Sequence, residues 1–293
     1  MAGFFDYTKP GKGVRKDEPE KTGFELYFDI LFRRLWKIIS LNLIYIIASI
    51  PAIIISWFIS TYFVTRGAVM AGIDLTEMAT ALSLLIIFMT VIFLQLCGSG
   101  PATAAMSYVL RKYVNDTHSW VWSDFKDNFK SNFKQGIATY FINVGVISVS
   151  LFSFLFYTFE MKSSASAVLR FMVALIAIIF AMMQMYTYQL MAGFELKLKH
   201  IYKNAFLLTA AKLPWNVLSA AVAVGIVYGV FSITMNIPIV GILAIGLLMF
   251  SLVSFTEIFM TNNIVKKYIL EPYMKEHPVE EEQFEADFSD LAE

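Results

Sequence analysis

Residues 78–97 read MATALSLLIIFMTVIFLQLC, twenty residues from Met78 to Cys97 without one charged side chain. A bilayer core about 30 Å thick is crossed by about 20 apolar residues at 1.5 Å per helical residue, so this run is long enough to span one. Working outward, similar runs occur at residues 38–64, 137–159, 170–194, 215–234 and 239–262. The chain of 293 residues is 58% hydrophobic and 16% charged, with 27 phenylalanines, where a soluble domain carries about a quarter charged residues. These observations predict an all-α integral membrane domain of six transmembrane helices over residues 1–275 and exclude a soluble enzyme. The first run is 27 residues interrupted only by Pro51, and 37 residues precede it, so it is too long and too far along to be a signal-peptide core. The N-terminus is expected to be retained. Only residues 235–238 separate the last two runs, which predicts a tight hairpin.

Orientation follows from Lys and Arg, which keep loops cytoplasmic. Twenty of the 23 lie in the N-terminal segment, residues 98–136, residues 195–214 and the segment from Asn263 onward; the alternate segments hold Arg66, Lys162 and Arg170. Both termini are therefore expected in the cytoplasm. The 23 basic and 23 acidic residues cancel, which removes any bulk electrostatic case for nucleic acid. A lone cysteine, Cys97, forbids an intramolecular disulfide and reads as a packing residue.

Residues 118–136 place Phe125, Phe129 and Phe133 every fourth position beside Lys126, Lys130 and Lys134. This is an amphipathic helix suited to the headgroup plane, with Ser123 or Asp124 as N-cap and Gly136 at its end. The aromatic and basic stripes serve either membrane anchoring or docking of a partner protein. Phe24, Tyr27, Phe28, Leu31 and Leu35 predict a second interfacial helix. The loop from Leu196 to Trp215 again mixes Lys with apolar residues and echoes the earlier one, a hint of duplication. Residues 276–293 hold eight acidic and no basic residues, the composition of a disordered tail.

Catalytic signatures are absent. His118, His200 and His277 lie far apart, so no metal site is expected. Gly11-Lys12-Gly13 lacks the upstream glycine and following Ser or Thr of a phosphate loop, so the chain itself binds no nucleotide. Neither a cofactor nor an enzymatic reaction is predicted. Inside the spans the costly residue is Glu257, with Glu195 at the end of the fourth span. Gln184, Tyr188, Met191 and Glu195 fall on one helical face, read first as interhelical hydrogen bonding and second as the lining of a polar cavity. Ala221, Gly225 and Gly229 form a small-residue stripe for close helix approach, within the chain as readily as between chains. Gly100 and Pro101 mark a bend, a re-entrant turn or hinge, with Ala102, Ala104 and Ala105 as a packing surface. Thr103 is expected to satisfy a carbonyl freed by Pro101.

Lys9-Pro-Gly-Lys-Gly-Val14, Arg33-Arg-Leu-Trp-Lys37 with Asn42, Gly100-Pro-Ala-Thr-Ala-Ala-Met106 and the stretch from Trp122 to Gln135 resemble the YesL family of bacterial membrane proteins. Gly100 to Met106 is the most specific of these. The resemblance implies a Gram-positive plasma-membrane protein associated with carbohydrate ABC import, without established catalytic residues. The leading expectation is thus a non-catalytic auxiliary subunit that contacts sugar ABC permease subunits through Phe125, Phe129, Phe133 and the neighbouring lysines. The competing expectation is a stand-alone transporter or channel whose path is lined by Glu257, Glu195, Gln184 and Tyr188.

Overall fold

The computed structural model describes residues 21–76 and 78–272. The expectations for the Lys9–Val14 motif, Gly11–Gly13 and the acidic segment 276–293 lie outside the described residues. Every regular element described is helical: α1 Gly23–Arg33, α2 Leu35–Ala48, α3 Ile50–Met70, α4 Ala79–Cys97, α5 Pro101–Val114, α6 Val121–Ser131, α7 Phe133–Leu155, α8 Ala165–Gly193, α9 Leu198–Ala211, α10 Leu213–Asn236, α11 Pro238–Ala244 and α12 Phe250–Val265. Short π-helical stretches extend α7 (Phe156–Glu160), join α11 to α12 (Ile245–Met249) and extend α12 (Lys266–Leu270). Six helical stretches are long and apolar enough to cross a membrane: Ile50–Met70, Ala79–Cys97, Phe133–Glu160, Ala165–Gly193, Leu213–Asn236 and Pro238–Leu270.

The first of these differs from the expected span at 38–64. The run is two helices, because Pro51 has no N–H and its ring crowds the carbonyl one turn earlier, and the chain breaks at Ser49. The Ser49 hydroxyl there donates to Ser99 Oγ at 2.7 Å, beside the turn between α4 and α5. Helix α2 then packs on the π-helical stretch Ile245–Met249. Its Asn42, fully buried, donates to the carbonyls of Ile245 (3.3 Å) and Gly246 (2.8 Å) and accepts the Ser251 N–H at 2.9 Å. A π-turn leaves backbone groups out of the regular ladder, and one amide side chain satisfies three of them.

Gly136 does not end the amphipathic helix. The break comes at Asn132, and Gly136 lies in the first turns of α7, where α7 crosses the start of α5. A Cβ on Gly136 would sit 2.5 Å from Pro101 N, and one on Gly100 2.8 Å from the Gly136 carbonyl oxygen, so each glycine permits a backbone-to-backbone approach. Gly98 and Gly100 also turn the chain with φ of 67° and 70°. The N-cap of α6 is Trp120, not Ser123 or Asp124. Asp124 instead reaches back from inside the helix, accepting the Trp120 N–H (3.0 Å) and the Ser119 hydroxyl (2.6 Å) and pairing with Lys112 (3.2 Å). Arg33 and Arg34 clamp the preceding turn through Asp116 at 3.0 and 2.6 Å. Helix α1 packs inward through Ile30 and Leu31, while Tyr27 shares a hydrogen bond with Thr256.

The fifth and sixth spans do form a hairpin, with Ile237 alone between α10 and α11. Chain order brings Cys97, Phe133, Gly193, Leu213 and Leu270 to one end of the bundle, the end that carries α5, α6 and α9.

Candidate functional site

The conserved geometry of a helix puts Gln184 and Tyr188 on one face, and that face turns inward against α4, α5 and α7. Asn143 of α7, fully buried, joins them: its amide nitrogen lies 2.9 Å from the Cys97 carbonyl, 2.8 Å from Gln184 Oε1 and 3.3 Å from Tyr188 OH. Tyr202 of α9 donates to Asn143 Oδ1 at 2.8 Å, and Tyr188 donates to the Cys97 carbonyl at 2.6 Å. Burial raises the Tyr202 phenol above its usual range, which keeps it a donor. Three helices and the end of a fourth are thus tied by one asparagine. A single Asn in an apolar run carries no sequence mark of this role.

Beside this network lies a cavity of about 400 Å³ between α4, α5, α8, α10 and α12. Gln184, Tyr188 and Glu257 line it, together with Gln95, Thr103, Ser107, Gln189 and Ser254 and an apolar majority that includes Phe88, Ile92 and Met182. Its mouth opens at the bundle surface between α8 and α10, where the lining residues Ile178, Val224 and Tyr228 are 56%, 67% and 65% exposed. Trp215 donates its indole N–H to the Met260 carbonyl near the start of α10. Glu257 lies three residues deeper, about 4.5 Å along the helix. A second cavity of about 390 Å³, between α3, α4 and α7, has Ser60 as its one polar lining residue.

Gln184 and Tyr188 bond between helices and also line a mostly apolar cavity. Glu195 does not join them. The chain leaves α8 at Gly193, and Glu195 is an exposed residue in the connection to α9.

The aromatic stripe of α6 faces the protein. Phe125 is 3% exposed in the core, Phe129 packs against that core and stacks beside Phe125, and Phe133 alone, 46% exposed, reaches the surface. The expected three-ring contact surface is corrected accordingly; Lys126, Lys130 and Lys134 remain exposed. The stripe of Ala221, Gly225 and Gly229 meets no other helix among the described residues of this chain. Ala221 and Gly225 are exposed, a Cβ on Gly225 or Gly229 would meet nothing within 4 Å, and α10 instead turns Ala223 and Val227 inward.

In the Gly100–Met106 motif, Ala102, Ala104, Ala105 and Met106 are all buried. Thr103 satisfies an N–H, not a carbonyl: its hydroxyl accepts from the Ser99 backbone at 2.7 Å, closing the turn that enters α5. Among the described residues no three His, Cys, Asp or Glu side chains gather.

A family model described as "Protein of unknown function, DUF624" matches residues 79–154. That stretch contains α4 to α7 up to Phe154, hence the Gly100–Met106 turn, the Gly100–Gly136 crossing and Asn143, but not Tyr188 or Glu257. No curated protein and no solved structure matches the chain.

Proposed function

We propose that the chain is a membrane-embedded transporter of a small amphiphilic molecule, which reaches the cavity sideways between α8 and α10. The observation that carries the reading is a carboxylate, Glu257, on the wall of a cavity whose mouth lies at mid-length of two of the six apolar helices. Charge within a span is costly and is kept where it serves a pathway. A cavity of this volume matches those that hold small ligands, and mostly apolar walls with a few polar groups suit a molecule with a polar head and an apolar tail. In this proposal the protein sits in a bacterial plasma membrane with both termini and the α5–α6–α9 end cytoplasmic, as the Lys and Arg bias requires.

Mass spectrometry of extracts from the purified protein tests the reading. Wild type carries small amphiphiles that Val224→Trp, a bulky residue at an exposed mouth position, excludes; identical extracts refute it. Flux of the molecules so found, in liposomes holding this chain alone, is lost in Glu257→Gln, and tight wild-type liposomes refute transport.

The alternative is an auxiliary subunit docked on a sugar ABC permease, in keeping with the YesL resemblance. What supports it is exposed Lys126 and Lys130 with exposed Trp120 and Trp122 on and beside the short helix α6, outside the six spans, and exposed Lys134 at the start of α7. Co-purification and cross-linking with a genomically neighbouring permease would test it, and a negative result in both sinks it.

A further inference from the structure

Resting on the cavity as a ligand site, we infer that its ligand is a lipophilic amine, an alkyl or aryl chain ending in a protonated ammonium group with N–H donors. The cavity is lined by one carboxylate that lacks a donor, and a second unmatched acceptor is buried behind its wall, where a side-chain rotation of Gln189 would bring it to a ligand. The Glu257 carboxylate makes no hydrogen bond or ion pair among the described residues, although it lines the cavity. Gln189, 2% exposed on the same wall, spends its amide nitrogen on the Met185 carbonyl and on Thr261 Oγ1 (2.7 Å), and its Oε1 is buried without a partner. Thr261 in turn donates to the backbone carbonyl of Glu257, so the two orphan acceptors belong to neighbouring helices, α8 and α12, joined through Thr261. A buried acceptor left unmatched costs about 1–3 kcal/mol and an unpaired charge more, a cost that a ligand donor would remove.

The sign of the ligand follows from the rest of the lining. Lys, Arg and His are absent from it, so the cavity's formal charge is negative. An anionic head would meet that carboxylate in a poorly screened setting, and a free sugar would leave its hydroxyls against Phe88, Ile92 and Val227. An ammonium head at Glu257 and Gln189 places its tail toward Ile178, Val224 and the mouth, where an amphiphile arriving from the membrane would enter. Donor chemistry also separates two kinds of cation: a primary ammonium offers three N–H groups to two acceptors, while a quaternary one offers charge alone.

The test uses purified protein in nanodiscs of zwitterionic lipid, with empty discs as background, and four ten-carbon probes: decylamine, decyltrimethylammonium, decanol and decyl sulfate. Decylamine is expected to bind at least tenfold more tightly than decanol or decyl sulfate, with the trimethylammonium probe between. Glu257→Gln, nearly isosteric, should erase the preference for decylamine over decanol while decanol affinity stays unchanged and the melting temperature does not fall. Gln189→Leu should reduce the advantage of decylamine over the quaternary probe. Equal binding of decylamine, decanol and decyl sulfate, lost in Val224→Trp, would overturn the amine inference and leave the cavity as a ligand site. If no probe binds above the empty discs, both readings fall. A preference for decylamine that survives Glu257→Gln would place the amine elsewhere and overturn the assignment to this wall.

Discussion

Asn143→Leu removes the side chain that ties α4, α7, α8 and α9 together, and its cost can be worked out from the contacts. The amide nitrogen has two hydrogens for three acceptors within 3.3 Å, and Oδ1 receives the Tyr202 hydroxyl, so three bonds are lost. Interhelical hydrogen bonds inside membranes average about 0.6 kcal/mol, which gives about 2 kcal/mol for three. The Cys97 carbonyl keeps its Tyr188 donor, but Gln184 Oε1 and the Tyr202 hydroxyl are stranded in a buried site. A stranded polar group adds about 1–3 kcal/mol where it finds no water, so the expected loss is about 2 kcal/mol if water reaches both groups and about 3–5 kcal/mol if one stays dry. Reversible unfolding of the purified protein by added denaturing detergent measures it. A double-mutant cycle with Tyr202→Phe isolates the shared bond. Tyr202→Phe should destabilise wild type yet be neutral or stabilising in Asn143→Leu, where the hydroxyl is already orphaned. A loss below about 0.5 kcal/mol for Asn143→Leu, or strict additivity in the cycle, would refute the reasoning that this asparagine organises the bundle.

Three further outcomes are expected. Gly136→Ala drives a Cβ into the backbone of Pro101 and should cost about 2 kcal/mol or more, whereas Gly225→Ala meets open space and should be neutral or stabilising by up to about 1 kcal/mol; equal shifts in parallel thermal melts would contradict the packing described. Asn42→Leu should strip the Ile245 and Gly246 carbonyls of their donor, costing about 1–3 kcal/mol, and amide exchange across residues 245–251 should accelerate while exchange in α8 is unchanged. Changing Lys126, Lys130 and Lys134 together to Gln leaves the core intact, since all three are exposed, so membrane abundance should stay normal. Sugar uptake measured in the same cells then separates the two functions: it fails if this helix docks a permease and persists if the chain works alone.

The sequence by itself determined the number of apolar helices, because span length is a local property, fixed by how many consecutive residues lipid will accept. It also put Gln184 and Tyr188 on one face, since helical periodicity needs no partner. It failed where the answer depended on what lies opposite. The 125–129–133 spacing announces an apolar stripe, but a stripe is covered as readily by protein as by lipid, and here α6 turns Phe125 into the core. Glu195 continues the spacing of Gln184 and Tyr188 on paper, yet the helix has ended before it. The glycines divide in the same way: Gly225 and Gly229 carry the small-residue spacing and touch nothing, while Gly100 and Gly136, 36 positions apart, meet backbone to backbone. Only the tertiary structure decided which polar residues form a site, because the partners of Asn143 come from three separate stretches of chain. The Glu257 carboxylate becomes informative for the same reason: its isolation is a property of the five helices around it.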